Sequence, residues 1–136
     1  MLPFEFIVEG PPVSQQTRRR DRLPPWRAVI RAAAERHWLP EDVPVEQQIS
    51  VETTHFFEGA PAGVDNIVKP ILDALKGFVF VDDSQVTDLS SRRRNIAGPY
   101  TVDLSSSLLR EALTNGREFL HVRVISSADS GELRFL

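Results

Sequence analysis

The order of apolar and polar positions along the chain predicts strands and helices in alternation. Residues 4–8 (Phe-Glu-Phe-Ile-Val) read as an opening strand, stopped by Gly10-Pro11-Pro12. The stretch 13–23 is polar, arginine-rich and aperiodic, and reads as a mobile loop. Pro24 and Pro25 then start a helix whose inner face carries Trp26, Val29, Ile30, Ala33 and His37, with Pro40 shortly after its end. Residues 45–58 alternate cleanly. Val45, Gln47, Ile49, Val51, Thr53, His55 and Phe57 fall on one face; Glu46, Gln48, Ser50, Glu52, Thr54, Phe56 and Glu58 fall on the other. That is the pattern of a long antiparallel strand with one face in water.

Residues 59–63 form a turn, and Asp65 is placed to N-cap a helix over 66–76. Ile67, Ile71 and Leu75 make its apolar stripe, Pro70 sits near the first turn, and Gly77 stops it. Residues 78–81 are short and apolar on both faces, which predicts a buried strand. Asp82-Asp83-Ser84 turns the chain into a returning strand over 85–92, and 99–102 extends the sheet. Residues 105–114 read as a helix ending near Asn115-Gly116, and 119–125 as a closing strand. The expectation is an α+β fold: a mixed, mostly antiparallel sheet with two main helices. At 136 residues it fits a single domain, 1–136, which buries roughly two thirds of its unfolded surface without a metal or a disulfide.

Composition removes several chemistries. With no cysteine there is no disulfide scaffold, Cys zinc site, thiol nucleophile or iron–sulfur ligation. No apolar run approaches the ~20 residues of a membrane span. The N-terminus, with Glu5 and Glu9 and no basic region, is not a signal peptide. A cytoplasmic location with no membrane partner is expected. The net charge of −3 alone argues against nucleic acid, but charge is segregated along the chain. Residues 14–36 hold seven arginines against Asp21 and Glu35, whereas 37–66 hold six acids and no Lys or Arg. A local basic patch attracts a polyanion whatever the average.

Three constellations carry candidate chemistry. In Val64-Asp65-Asn66-x-x-Lys69 a carboxylate and an ammonium lie one helical turn apart; an N-cap with a surface lysine has the same spacing. Asp82-Asp83 follows the apolar run 78–81, and adjacent acids raise the pKa of one unless cations or donors compensate. An eleven-residue helix rises about 16 Å and a strand of four or five residues covers about 15 Å, so the return brings Asp82 and Asp83 toward Asp65 and Lys69. Oxygen-only ligands favour Mg²⁺ or Mn²⁺, and such a site suits phosphodiester hydrolysis, with Lys69 steadying phosphate charge. The third constellation is basic: Arg18, Arg19, Arg20 and Arg22, then Arg92, Arg93 and Arg94, a candidate phosphate track. Asp73 lies four residues from Lys69, at ion-pair spacing. His37 and His55 fall on core faces and read as structural.

At these residues the sequence resembles the RusA family of Holliday junction resolvases. The likeness covers about residues 5–95. It runs from Gly10-Pro11-Pro12-Val13-Ser14-Gln15 through the arginine loop and Trp26. Its centre is the order Asp65-Asn66-x-x-Lys69, Asp73-Ala74-Leu75-x-Gly77 and Asp82-Asp83-x-Gln85-Val86, and it reaches Arg92–Arg94. The resemblance implies a homodimeric, Mg²⁺-dependent endonuclease, bacterial or phage-encoded, that cuts four-way DNA junctions by paired nicks. Asp65 and Asp83 would be its metal-site aspartates and Lys69 its catalytic lysine, with Asp82, their neighbour, helping as a third carboxylate at the metal. The family pattern reads Asp-x-Asp-Asn, and here Gly63 replaces the first acid, with Glu58 or Glu52 as candidate substitutes. The residue set therefore admits an active nuclease, or a branched-DNA binding protein with a degenerate catalytic centre. An acidic protein-interaction domain is a third reading. The extra helix over 103–116 exceeds the family's usual tail.

Overall fold

The computed structural model describes residues 1–102 and 105–129. Four strands, β1 (Phe4–Glu9), β2 (Ile49–Phe57), β3 (Val86–Asn95) and β4 (Phe119–Ser126), form one sheet in the order β1-β4-β2-β3. Strand β4 pairs antiparallel with β1 on one side, Phe6 opposite Val122, and with β2 on the other, Thr53 opposite Val122. Strands β2 and β3 run parallel, with Thr53 opposite Ser91. Among the described residues there are three α-helices: α1 (Leu23–Glu35), α2 (Val68–Leu75) and α3 (Ser107–Asn115). The sheet is mixed and mostly antiparallel, as the sequence pattern implies. Residues 103 and 104 of the expected extra helix lie outside the described residues; within the rest of that span the helix is α3, from Ser107 to Asn115.

Helices α1 and α2 cover one face of the sheet. Trp26, Ile30 and Ala34 of α1 and Ile71 and Leu75 of α2 join Phe6, Val8, Val51, Val122 and Val124 in one core. The stripe Ile67, Ile71, Leu75 is fully buried, as its spacing requires. On α1 the buried stripe turns onto Ala34, leaving Val29 half exposed. The helix ends at Glu35, so His37 lies beyond it, exposed, and is not the core histidine its position on the face predicts. His55 is buried.

Strand β2 corrects the expectation of a face in water. Its Ser50, Thr54 and Phe56 are buried as well as Ile49, Val51 and Thr53. The cause is α3, which lays Leu109 on the second face, where Phe56 stacks on Phe119 at 4.7 Å between ring centres. Tyr100 packs edge-on against Phe56 and donates its hydroxyl to the Ile96 carbonyl (3.1 Å). Residues 99–102 thus cover this cluster and do not extend the sheet.

Residues 78–81 are not a strand. Gly77 adopts a left-handed φ of +78°, and the amides of Phe78 and Val79 both return to the Leu75 carbonyl. The apolar run is a tight turn that buries Val79 and Phe80 in the core, and Phe80 makes isolated bridges to Val45 and Lys76 in place of a strand pairing. Helix α2 starts at Val68, with Ile67 at the cap position and no side-chain cap, so Asp65 is not its N-cap. Residues 64–67 are instead drawn into a turn: the Asn66 amide bonds the Gly63 carbonyl, and its own carbonyl accepts from the Gln15 amide (2.8 Å). The same bond anchors the loop expected to be mobile over 13–23, where Val13 is buried and residues 20–22 form a 3₁₀ turn into α1.

Candidate active site

The site is assembled by one amide side chain. Gln85 Oε1 accepts from the backbone amides of Val81 and Asp82, both at 2.9 Å. Its Nε2 donates to the carbonyls of Val45 and Gln47, both at 2.8 Å. These four bonds staple the segment 81–85 to the chain leading into β2. Asp82 completes a reciprocal capping box, accepting from the Ser84 amide at 3.0 Å. The adjacent acids therefore do not crowd each other. Asp82 is extended, and its carboxylate meets Lys76 at 3.3 Å, whereas that of Asp83 meets Lys69 at 3.6 Å. The Ser84 hydrogen bonds and then Lys76 hold Asp82 down at about 2, where adjacency alone implies a rise for one of the two acids.

Lys69 lies at the start of α2 and donates to Asp73 one turn on (2.6 Å). That hydrogen bond, with the charges of Asp73 and Asp83, outweighs desolvation and holds its ammonium above the ordinary lysine range. Lys69 is thus a permanent cation at neutral pH, suited to stabilising anionic charge and unsuited to accepting a proton. One Asp83 oxygen faces it; the other, Oδ1, is buried with no hydrogen-bond partner among the described residues.

Asp65 sits on a loop held from several sides. The Glu58 amide bonds Glu118 Oε1 (3.2 Å), and Glu118 Oε2 also contacts the buried His55 at 2.6 Å. Arg93 donates to the Ala62 carbonyl (3.3 Å) and Ser91 to the Val64 carbonyl (2.6 Å), while Gln15 holds Asn66. The exposed Asp65 carboxylate makes no ion pair with Lys69 and no hydrogen bond among the described residues. It points back over Gly63: a Cβ built there would stand 2.9 Å from Asp65 Oδ1 and 3.3 Å from Asn66 Nδ2. Among the described residues no three acidic, histidine or cysteine side chains gather as a metal cluster. Glu52 is no substitute for the missing acid, because it points to the opposite sheet face beside Arg123 (3.8 Å).

The basic residues divide. Arg20 donates to the Gln15 carbonyl, so the first tract adjoins the Asp65 loop; Arg19 pairs with Asp21 at 3.1 Å, and Arg18 and Arg22 are exposed. The second tract is split by strand alternation. Arg93 turns to the Asp65 loop, whereas Arg92 bonds Thr54 and Ser90 on the other face, where Arg94 also lies. Gln85, Gln15 and Ser91 are the positioning residues that residue-type reasoning did not single out. Gln15 and Gln85 stand among the residues that carry the family resemblance, without a role there; Ser91 carries no signal.

Replacing Gln85 by Leu, which keeps the bulk and removes all four bonds, is expected to cost about 1–3 kcal/mol in denaturant unfolding. The Asp82 carboxyl should titrate at about 2 when followed by NMR. Its contribution to stability is present above the ordinary value of 3.8 and is lost as the pH falls through about 2. Lys76→Gln should shift that midpoint upward.

Two comparisons with known proteins bear on this geometry. The family model described as endodeoxyribonuclease RusA matches residues 11–102, a span that includes every side chain of the carboxylate–lysine site and both basic tracts. The search of curated proteins finds no match.

Proposed function

This chain belongs to the RusA family of endodeoxyribonucleases, and we propose that it resolves four-way DNA junctions by metal-dependent hydrolysis of phosphodiester bonds. The observation that carries this reading is the Lys69–Asp83 pair, in which a fixed cation abuts a carboxylate that keeps one buried oxygen without a partner among the described residues. That orphaned oxygen fits a divalent ion. Mg²⁺ characteristically keeps several waters and is held by one or two carboxylates, so a site without a third acid is compatible with it. Asp83 and Asp65 are the residues proposed to hold Mg²⁺, with Mn²⁺ as an alternative; Asp82 is committed to its cap and to Lys76 and acts by shaping the loop. The ion would supply Lewis acidity at the phosphate and a bound water of lowered pKa.

The chain's own part of the reaction is electrostatic. Lys69 donates to a non-bridging phosphate oxygen as charge gathers there, and Asp73 fixes the direction of its ammonium. Arg93 and the tract Arg18, Arg19, Arg20 and Arg22 neutralise flanking phosphates. Two symmetric cuts need two sites, so the reading includes a homodimer. A cytoplasmic enzyme of bacterial or phage origin fits it.

Gly63 favours a second reading, binding without cleavage, because it leaves the position of the first motif acid without a side chain. Both atoms that a Cβ at 63 would crowd are ends of side chains, which can rotate away.

The protein is expected to nick a synthetic four-way junction with Mg²⁺ or Mn²⁺. Asp83→Asn should lower the nicking rate by about a hundredfold or more and leave junction binding in EDTA unchanged. Loss of binding in that variant would make Asp83 architectural. Gly63→Asp separates the two readings: an unchanged nicking rate supports an active centre, and cleavage that appears only in the variant supports the degenerate one.

A further inference from the structure

Strand β3 is an edge of the sheet, and its basic residues serve two different surfaces. Arg93 faces the Asp65 loop. Arg92 and Arg94 face away, into a concavity of about 540 Å³ between the sheet and α3. That volume lies in the range of sites for small organic ligands and is large enough for a nucleotide. Arg92 and Arg94 are both exposed and stand two residues apart on a strand, on the order of 6.6 Å. This is about the separation of consecutive phosphates along a nucleic-acid strand. Arg123 adds a third guanidinium from β4. The two acids that line the concavity among the described residues are already matched: Glu52 lies 3.8 Å from Arg123, and Glu5 accepts from Ser106 at 2.7 Å and contacts His121 at 2.7 Å. What the surface offers beyond those pairs is basic. Phe56 and Leu109 supply apolar lining beside the arginines.

We propose that this concavity is a second nucleic-acid site, which takes the phosphodiester backbone of a strand other than the one held at Lys69, so that β3 lies between two strands of a branched substrate. The identity of the ligand rests on the junction-resolving reading; the binding itself needs neither the metal nor catalysis. A linear duplex engages the Lys69 side alone. A junction, whose arms diverge, engages both sides, and the second site accordingly acts in discriminating branched from linear DNA.

The test measures affinity in EDTA for a four-way junction and for a linear duplex of one arm's sequence, across a range of salt. Arg92→Gln and, independently, Arg123→Gln should each weaken junction binding about tenfold and change duplex binding less than about twofold. Arg93→Gln should weaken both DNAs. Arg92→Lys should restore part of the loss, since it keeps the charge without the fork of donors. Thermal unfolding identifies any variant whose loss is one of folding, and the two arginines lie on different strands. The proposal is overturned if Arg92→Gln and Arg123→Gln leave junction affinity unchanged, or weaken junction and duplex alike. A wild-type protein without junction preference overturns the junction reading instead. The concavity is then judged by the salt dependence of binding to the four-way junction itself, where an unchanged slope in Arg92→Gln rules it out.

Discussion

The geometry of the site depends on the Gln85 amide. Residues 81–85 belong to no sheet and no long helix, so nothing in regular secondary structure fixes them. A primary amide is the one uncharged side chain that offers paired acceptor and donor capacity on a single plane, and all of it is used. Its oxygen gathers the two amides before Asp83, and its nitrogen ties them to the carbonyls before β2. Glu in its place would keep the acceptor and repel the two carbonyls, and Leu would leave all four groups unpaired. The position of Asp83 relative to Lys69 follows from this staple and from the tight turn at Gly77.

How far the sequence was legible divides along a physical line. Features set by neighbours in the chain could be read directly. The stripe Ile67, Ile71, Leu75 and the strands at 4–8 and 119–125 follow from periodicity; Asp83 does meet Lys69, but through the tight turn at Gly77 and the Gln85 staple, and not through a returning strand matched in length to the helix. Features set by distant partners could not. Residues 45–58 alternate as a half-wet strand does, yet α3 covers the second face with Leu109. Asp65 sits where an N-cap would, yet a hydrogen bond from Gln15 holds the segment as a turn. The run 78–81 is apolar enough for a strand, but the left-handed backbone at Gly77 curls it back on Leu75 before it can pair. The candidate site was legible as a set of residues, and its internal division of labour was not. Asp82 and Asp83 are adjacent in sequence and separated in role, one bound into a cap and one aimed at Lys69.

Charge shows the same limit. The triplet at 92–94 is a single block on paper, and a strand sends consecutive side chains to opposite sides. Net charge and local counts register the block and miss the split. What the parallel pairing of β2 and β3 adds is the identity of each neighbour: Arg93 stands opposite His55 and Arg92 opposite Thr54. The outward-facing edge of β3 thus presents positive groups above and below the sheet plane. Such an edge also resists joining another sheet edge, as like charges would then be stacked strand on strand.

The strand order β1-β4-β2-β3 carries a consequence for how this protein comes into being. The strand at the heart of the sheet is the last of the four to leave the ribosome, so β1 waits unpaired through the synthesis of everything between. The segments that bear the acids and the lysine emerge before the partner that seats β2 against β1. A nascent chain therefore holds Asp65, Lys69 and Asp83 before the sheet beneath them is complete, and their arrangement can form only once β4 has been made.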